Sequence, residues 1–569
     1  MTTSKHIGQS LYTEPKHHAL NRLTRQSVLN TVMASAFMLL AAQAHSQSLG
    51  ISQTSSSAPS TPTGTSTSTL SNPSALPTTI RTSFENWRLP NGQHAGMLGL
   101  NLLFDVNPNV KLGVASYGAL TGEQGGLITM GLAGELQYDL GPSWRAHAGL
   151  FVGGGGGAAG YALTGNGFMF RTDAGLTYRT QGYGNIGVGV SWVTFPTGDI
   201  RSVQPYLMYE YQFDTLIWPG WQRSTAQNVD AARSPTFDTA SSSRRQEIGL
   251  TWSQYVVPSS VKNDQGAQQA DIDLGGVRWT SYLDDRWYLS VQADGSYTES
   301  TSGYVQILGG IGYRLPLGSS TGLKIYGLAG PAGAGNGAVS TGGGLLLGGG
   351  ITIQQMLTDR WAIEIGFGGT KATTGDFRAW NYGINLSYVF GLNKVSDMNL
   401  HVSSNSPQAK ESDPPLRLRV MNTTFLKADD QWRNDDTNKT VNNFGLGLDY
   451  FLNDRAYITG QGLVAYTGNS KNGSVTAAME LTGLLGAGWL QPVTQDWFVM
   501  AEGLLGFSNG GSLDTGMGGV WQLNAGLGYR ITDDLDLTLS GGRMQAFDGQ
   551  FKANIISVGL GYRFGLPSR

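Results

Sequence analysis

Few side chains in this sequence are placed to do chemistry. Of the seven histidines, His6, His17 and His18 crowd the N-terminus, while His45, His94, His147 and His401 are scattered. No two stand at metal-ligand spacing, and no HExxH occurs. Cysteine is absent, which excludes disulfides, thiolate metal sites and thiol nucleophiles. The stretch His401-Val402-Ser403-Ser404-Asn405 offers a nucleophile arrangement, a His polarising a Ser, but it lies in a polar stretch that reads better as a solvated linker. The carboxylates Asp429, Asp430, Asp435 and Asp436 could hold a divalent cation that bridges phosphate groups. They lack the calcium-loop pattern and read as a solvated loop. The run GAGNGA at 333–338 has glycines like those of a dinucleotide loop without its strand–helix context, and reads as a surface turn. Arg179, Arg314 and Arg563 fall on the polar faces of alternating strands. They would line a lumen or pair with acids inside a small barrel, and pairing is favoured because unpaired buried charge is costly. The expectation is a protein with no catalytic residue, no cofactor and no metal, and therefore not an enzyme.

What positions these residues is a chain unlike an ordinary globule. It has 569 residues, 82 of them Gly, only 14% charged, and a formal net charge of −3. That balance gives no basic field for nucleic acid. Lys16, Arg22 and Arg25 precede the apolar run VMASAFMLLAA (32–42), and Ala42-Gln43-Ala44 has the small-x-small form of a cleavage site. Residues 1–44 are therefore expected to be a signal peptide. The Ser-, Thr- and Pro-rich segment 45–82 is expected to be disordered. Nothing later is long and apolar enough for a transmembrane helix, so any membrane insertion must use strands.

Three passages end alike: PTGDIRSVQPYLMYEYQF (196–213), TTGDFRAWNYGINLSYVF (373–390) and FDGQFKANIISVGLGYRF (547–564). Glycine-rich passages lie upstream of each, at 149–167, 327–344 and 502–519. The chain is a unit repeated three times. The expected boundaries are 83–214, 246–391 and 416–569, with linkers at 215–245 and 392–415. Each unit parses into about eight segments of strict alternation. In 287–298, Trp287, Leu289, Val291, Ala293 and Tyr297 take one face, and Tyr288, Ser290, Gln292, Asp294 and Ser296 the other. Short turns (LDDRW 283–287, LTDRW 357–361, LNDRA 452–456, ITDDL 531–535) alternate with longer polar connections such as 257–270 and 427–440. Trp144, Trp287, Trp361, Tyr457 and Trp497 beside the short turns suit an interfacial aromatic girdle.

The final strand, ISVGLGYRF (556–564), carries polar-x-Gly-x-x-aromatic-x-aromatic in Ser557, Gly559, Tyr562 and Phe564. In this it resembles the terminal assembly signal of Gram-negative outer-membrane β-barrel proteins, although GLPSR follows Phe564. The resemblance implies an all-β, transmembrane antiparallel barrel in the bacterial outer membrane. It also implies lipid and lipopolysaccharide as surroundings and the barrel-assembly machinery as a partner. His401–Asn405 is similar to the His-x-Ser-Asn core of outer-membrane phospholipases, one residue out of spacing. Three tandem small barrels, each of about eight strands, are favoured over one barrel of about 24 strands, because the linkers are long, the inner faces are Gly-rich (Gly310, Gly312) and no plug domain is present. The first reading implies a structural or surface-interaction role. The second implies a pore or export channel with a periplasmic partner as its gate.

Overall fold

The computed structural model describes residues 74–564 apart from 91, 158–162, 181–183, 218–244, 302, 335–338, 391–415, 427–439, 468–480, 510–512 and 533–534. The expected signal peptide, most of both linkers, His401–Asn405 and the Asp429–Asp436 loop lie outside the described residues. The strands form three separate closed barrels, all antiparallel, each of eight strands. Barrel 1 takes β1 (Ser74–Arg88), β2 (His94–Asn107), β3 (Val110–Gly122), β4 (Ile128–Asp139), β5 (Trp144–Gly156), β6 (Phe168–Arg179), β7 (Asn185–Thr194) and β8 (Arg201–Ile217). Barrel 2 takes β9 (Gln246–Val256), β10 (Ile272–Tyr282), β11 (Trp287–Ser296), β12 (Tyr304–Pro316), β13 (Thr321–Ala334), β14 (Leu345–Met356), β15 (Trp361–Ala372) and β16 (Arg378–Phe390). Barrel 3 takes β17 (Leu416–Leu426), β18 (Val441–Phe451), β19 (Ala456–Thr467), β20 (Leu481–Pro492), β21 (Trp497–Asn509), β22 (Gly519–Arg530), β23 (Leu535–Ala546) and β24 (Lys552–Phe564). The single wide barrel is thereby excluded, because each unit's last strand pairs with its own first: Arg81 opposite Glu210, Gly249 opposite Ser387, and Arg419 opposite Gly561.

Closure follows from the alternation. A sheet whose outer face meets hydrocarbon must pair every backbone group, and only a closed ladder does so. The outer rows are apolar and exposed, as with Ile248, Trp252, Ile384 and Tyr382 in barrel 2. The inner rows are buried and mixed, with polar and small residues beside aromatic and aliphatic ones such as Leu103, Leu308 and Leu463.

Short turns share one end of each barrel with its N- and C-termini, and one hydrogen-bond scheme recurs in them. The Asp284 carboxylate accepts from the N–H of Arg286 and Trp287 at 2.7 and 2.6 Å. Thr358 and Asn453 do the same for the residues that follow them, so Asp, Thr and Asn are interchangeable at this position by their side-chain acceptor. These N–H donors hold the Asp284 carboxyl below its ordinary range.

The tryptophans that follow point outward and meet a cross-strand tyrosine. Trp144–Tyr178, Trp287–Tyr313, Trp361–Tyr388 and Trp497–Tyr529 have ring centroids 5.0–5.3 Å apart. Tyr457 does not join this girdle. Ala456 occupies the place of the Trp in its turn, so Tyr457 falls one residue later, faces inward and is fully buried.

Two expected boundaries also move. β1 begins at Ser74, inside the stretch expected to lack structure, and β8 runs to Ile217, past 214. The reason is mutual: these two strands pair from Ser74↔Ile217 onward, so each supplies the backbone partners that composition alone did not promise.

Inner glycines let large inner side chains cross a narrow lumen. Gly312 lies opposite Tyr288, Gly488 opposite Tyr457 and Gly528 opposite Phe498, and a Cβ at any of the three would overlap the ring. Gly312→Ala is therefore expected to destabilise barrel 2 by about 1–3 kcal/mol, the usual cost of overpacking. The reading is a lower temperature for loss of the compact gel band.

Candidate functional site: three filled lumens

Each lumen holds a buried ionic network, at mid-height in barrel 1 and toward the short-turn end in barrels 2 and 3, where Lys324 lies opposite Arg314 and Arg417 opposite Arg563. In barrel 1, Arg81 Nε donates to Glu210 at 2.8 Å and its other nitrogens reach Glu135. Arg171 pairs with Glu85 at 3.0 Å and with Asp173. His147 Nε2 lies 2.5 Å from the Tyr206 hydroxyl, which donates to Asp173 at 3.0 Å. In barrel 2, Lys324 Nζ donates to Glu247 at 2.8 Å and to Glu364, which also pairs with Arg278. The Lys324 ammonium sits 5.3 Å from the centre of the Tyr288 ring. In barrel 3, Arg417 donates to Asp449 at 2.7 Å, Arg419 bridges Asp449 and Glu502 at 2.8 and 2.7 Å, and Arg563 donates to Asp536 at 3.0 Å. Charges buried this deeply persist because each has an opposite partner within hydrogen-bond reach. The networks leave little space. Arg81, Glu135, Arg171, Asp173, Tyr117 and Tyr206 help line a cavity of about 20 Å³ in barrel 1, room for roughly one water.

At the end opposite the short turns, two connections of each barrel fold inward and clasp each other. The one between the fifth and sixth strands carries Thr-Gly-x-Gly: Thr164 to Gly167, Thr341 to Gly344 and Thr515 to Gly518. Both glycines of each copy have positive φ, from 56° to 98°, which side-chain-bearing residues adopt only with strain. Against it lies the connection between the seventh and eighth strands. Leu163 O accepts from Ile200 N at 3.0 Å, Ser340 O from Phe377 N at 3.0 Å and Asp514 O from Phe551 N at 2.8 Å. A second bond recurs as Asn166 N to Thr197 Oγ1, Gly343 N to Thr374 Oγ1, and Met517 N to an Asp548 carboxylate oxygen. The clasp drives Ile200, Phe377 and Phe551 into the lumen, where all three are fully buried. Phe377 meets Tyr255 and Tyr304, and Phe551 meets Phe425.

The arginines singled out from sequence do not share a site. Arg563 is inside barrel 3, paired with Asp536. Arg179 is at the short-turn rim of barrel 1, paired with Asp139. Arg314 is at the rim of barrel 2, against Gly322. The terminal motif lies on β24, with Ser557 facing inward to Thr423 at 2.9 Å and Gly559 beside Met421. Tyr562 pairs with Leu418 across the closing seam, as Phe564 does with Leu416. Gly333 and Ala334 belong to β13, and the rest of GAGNGA lies outside the described residues. Among the described residues no group of His, Cys, Asp and Glu could hold a metal. Sequence reading expected acid pairing for Arg179, Arg314 and Arg563 alone, and missed the rest of the ionic networks, the place of His147 in one of them, and the clasp. The clasp had a signal in its three Thr-Gly-x-Gly runs, whereas the network charges change sign or position from copy to copy even where they share a strand, as Arg81, Glu247 and Arg419 do, and leave no repeated motif.

Residues 400–564, which span the third barrel, match the family model of the outer membrane protein beta-barrel domain. No curated protein matches the chain. Among solved structures, the ferric enterobactin receptor PfeA of Pseudomonas aeruginosa is 9% identical, with 86% of this chain and 80% of that chain covered and a TM-score of 0.25. The siderophore receptor PirA of Acinetobacter baumannii is 9% identical over 88% and 81%, also at 0.25. Neisserial surface protein A is 10% identical over 26% of this chain and 98% of its own, at 0.20.

Proposed function

We propose that this chain, an outer-membrane β-barrel protein of the bacterial outer membrane, serves there as a structural and surface-interaction protein rather than as a conduit or an enzyme. The observation that carries this is the double closure of every lumen, by a buried charged network and by a clasped pair of loops at the end opposite the short turns. Eight strands enclose only enough room for side chains, and here the side chains occupy it. The long connections, such as 257–271 with Lys262, Asp264 and Gln265 at its tip, are then the surface on offer. Bacterial barrels place such connections outside the cell and short turns in the periplasm. The surroundings are outer-membrane lipid and lipopolysaccharide, and the barrel-assembly machinery would read Ser557, Gly559, Tyr562 and Phe564. A solute channel with a periplasmic gate needed one wide barrel. Purified, folded protein added to a planar bilayer is expected to give no stepwise conductance. Stable unitary steps from protein that migrates as folded would overturn the proposal.

A further inference from the structure

The outer faces of the barrels are not equally open. On β4 the outward row runs from Ile128, 8% exposed beside the long loops, through Met130 and Leu132 to Leu136 at 61% and Tyr138 at 67% beside the short turns. β19 repeats the gradient, with Val464 and Tyr466 buried and Ile458 43% exposed. β8 shows none: Val203 is 68% exposed near one end and Tyr211 51% near the other. What covers the upper ends of β4 and β19 is the neighbouring barrel. Gly125 N, between β3 and β4, donates to Gly342 O of barrel 2 at 2.9 Å, and Pro331 of β13 packs on Gly118 of β3. Tyr466 of β19 lies on Gly154 of β5. Phe507 of β21 stacks on Tyr297, which follows β11, with centroids 5.8 Å apart, and covers Gly275 of β10.

Each contact sets the third-strand side of one barrel against the fifth-strand side of the next. A head-to-tail contact of this kind closes into a ring, here after three barrels. The fourth strands β4, β12 and β20 therefore face the middle. Because the barrels touch at their long-loop ends and part toward their short turns, the ring encloses an apolar well that opens on the short-turn side. Its wall carries Leu136, Ile311, Gly309, Ala487 and Trp489, outward and exposed. The wall spans the depth between the contact layer and the level of Trp144 and Trp497. At that depth an apolar gap is filled by hydrocarbon, because water there would find no polar partner. The three turns at the mouth, 140–143, 317–320 and 493–496, carry one charged residue, Asp496. They offer no cationic cluster for an anionic headgroup.

We propose that the three barrels enclose a lipid-binding well that takes the acyl chains of a zwitterionic phospholipid from the periplasmic leaflet. The full chain, purified in mild detergent and washed until loosely held lipid is gone, would be assayed for phospholipid by native mass spectrometry. The wild type is expected to retain phospholipid, predominantly phosphatidylethanolamine. Gly309→Phe with Ala487→Phe fills the well from two walls without touching a lumen, and is expected to lower retention at least fivefold. Val203→Phe, on the open outer face of β8, is expected to leave it unchanged. No retained lipid in the wild type, or equal retention in the filled variant, would overturn the proposal, and equal retention of phosphatidylglycerol would overturn the headgroup assignment. Should the double variant fail to migrate as folded protein, brominated phosphatidylethanolamine exchanged into wild-type crystals replaces it as the test. Bromine between β4, β12 and β20 supports the well, and its absence there overturns it.

Discussion

Lys324→Met is expected to destabilise the second barrel by about 3–5 kcal/mol, the cost of removing one partner from a buried ion pair. Lys324 lies between Glu247 and Glu364, and all three are almost completely shielded from solvent. Without the ammonium, two carboxylates are left together in a buried lumen, with the Gln354 amide donating to both but carrying no charge to offset them. Arg278 still reaches Glu364 and Arg245 still reaches Glu247, but neither replaces the central charge. The effect belongs to barrel 2 alone, since the networks of the other barrels share no residue with it. Hydrogen exchange resolved by peptide reads each barrel separately. Exchange in β13 and its neighbours should accelerate by about 100-fold or more, while β17–β24 stay as they were. A companion variant tests the cause. Replacing Lys324, Glu247, Glu364, Arg278 and Arg245 together by apolar residues of similar volume should cost much less than the single change, because no charge is then left buried without its partner. If Lys324→Met changed barrel 2 by less than about 1 kcal/mol, the network would not be what fills and fixes that lumen.

The outer wall of this molecule is easier to read from sequence than its interior, for physical reasons. A strand between lipid and a polar lumen must alternate, so each outward row announces itself, and so does the turn chemistry of Leu-Asp-Asp-Arg-Trp. The tripled ending exposes the repeat, but closure alone allows one barrel of about 24 strands as well as three of eight, and only the pairing of each unit's last strand with its own first decides between them. The interior obeys a looser rule. A lumen needs its charges balanced but does not care which strand supplies them: barrel 1 takes cations from Arg81, Lys111 and Arg171, barrel 2 from Arg245, Arg278 and Lys324, and barrel 3 from Arg417, Arg419 and Arg563. No position-specific motif survives such freedom. Tyr457 shows how narrow the margin is, since one residue of phase separates a girdle aromatic from a buried hydroxyl donating to Glu502 at 2.8 Å. Contacts between barrels were illegible for another reason. Gly118, Gly154 and Gly275 differ in no way from glycines that face lipid, and only the approach of a neighbour gives them meaning.

Gly375→Val is expected to open the clasp of barrel 2. A Cβ at Gly375 would overlap the Ser340 carbonyl oxygen, and the next nearest atoms are the Ser340 carbonyl carbon and the Gly342 nitrogen. All of these are backbone, so no side chain can swing aside. Relief requires the two loops to separate, which breaks the bond from Phe377 N to Ser340 O and draws Phe377 away from Tyr255 and Tyr304. Exposing that ring forfeits about 1.5–3 kcal/mol of burial. The strands below are untouched, so the barrel should still close and run as a compact band. The expected result is new protease cleavage within 373–377 and slow, limited loss of thermal stability. Gly198 and Gly549 hold the same position in the other barrels, where a Cβ would meet the backbone of Leu163 and Thr164, or of Asp514 and Thr515. Gly198→Val and Gly549→Val should therefore each open one clasp and leave the other two shut. The triple variant also separates the two closures of the lumen. If the ionic networks suffice, it remains without conductance although all three clasps are open. If it conducts, the clasp is the seal and the charged layer below it is permeable.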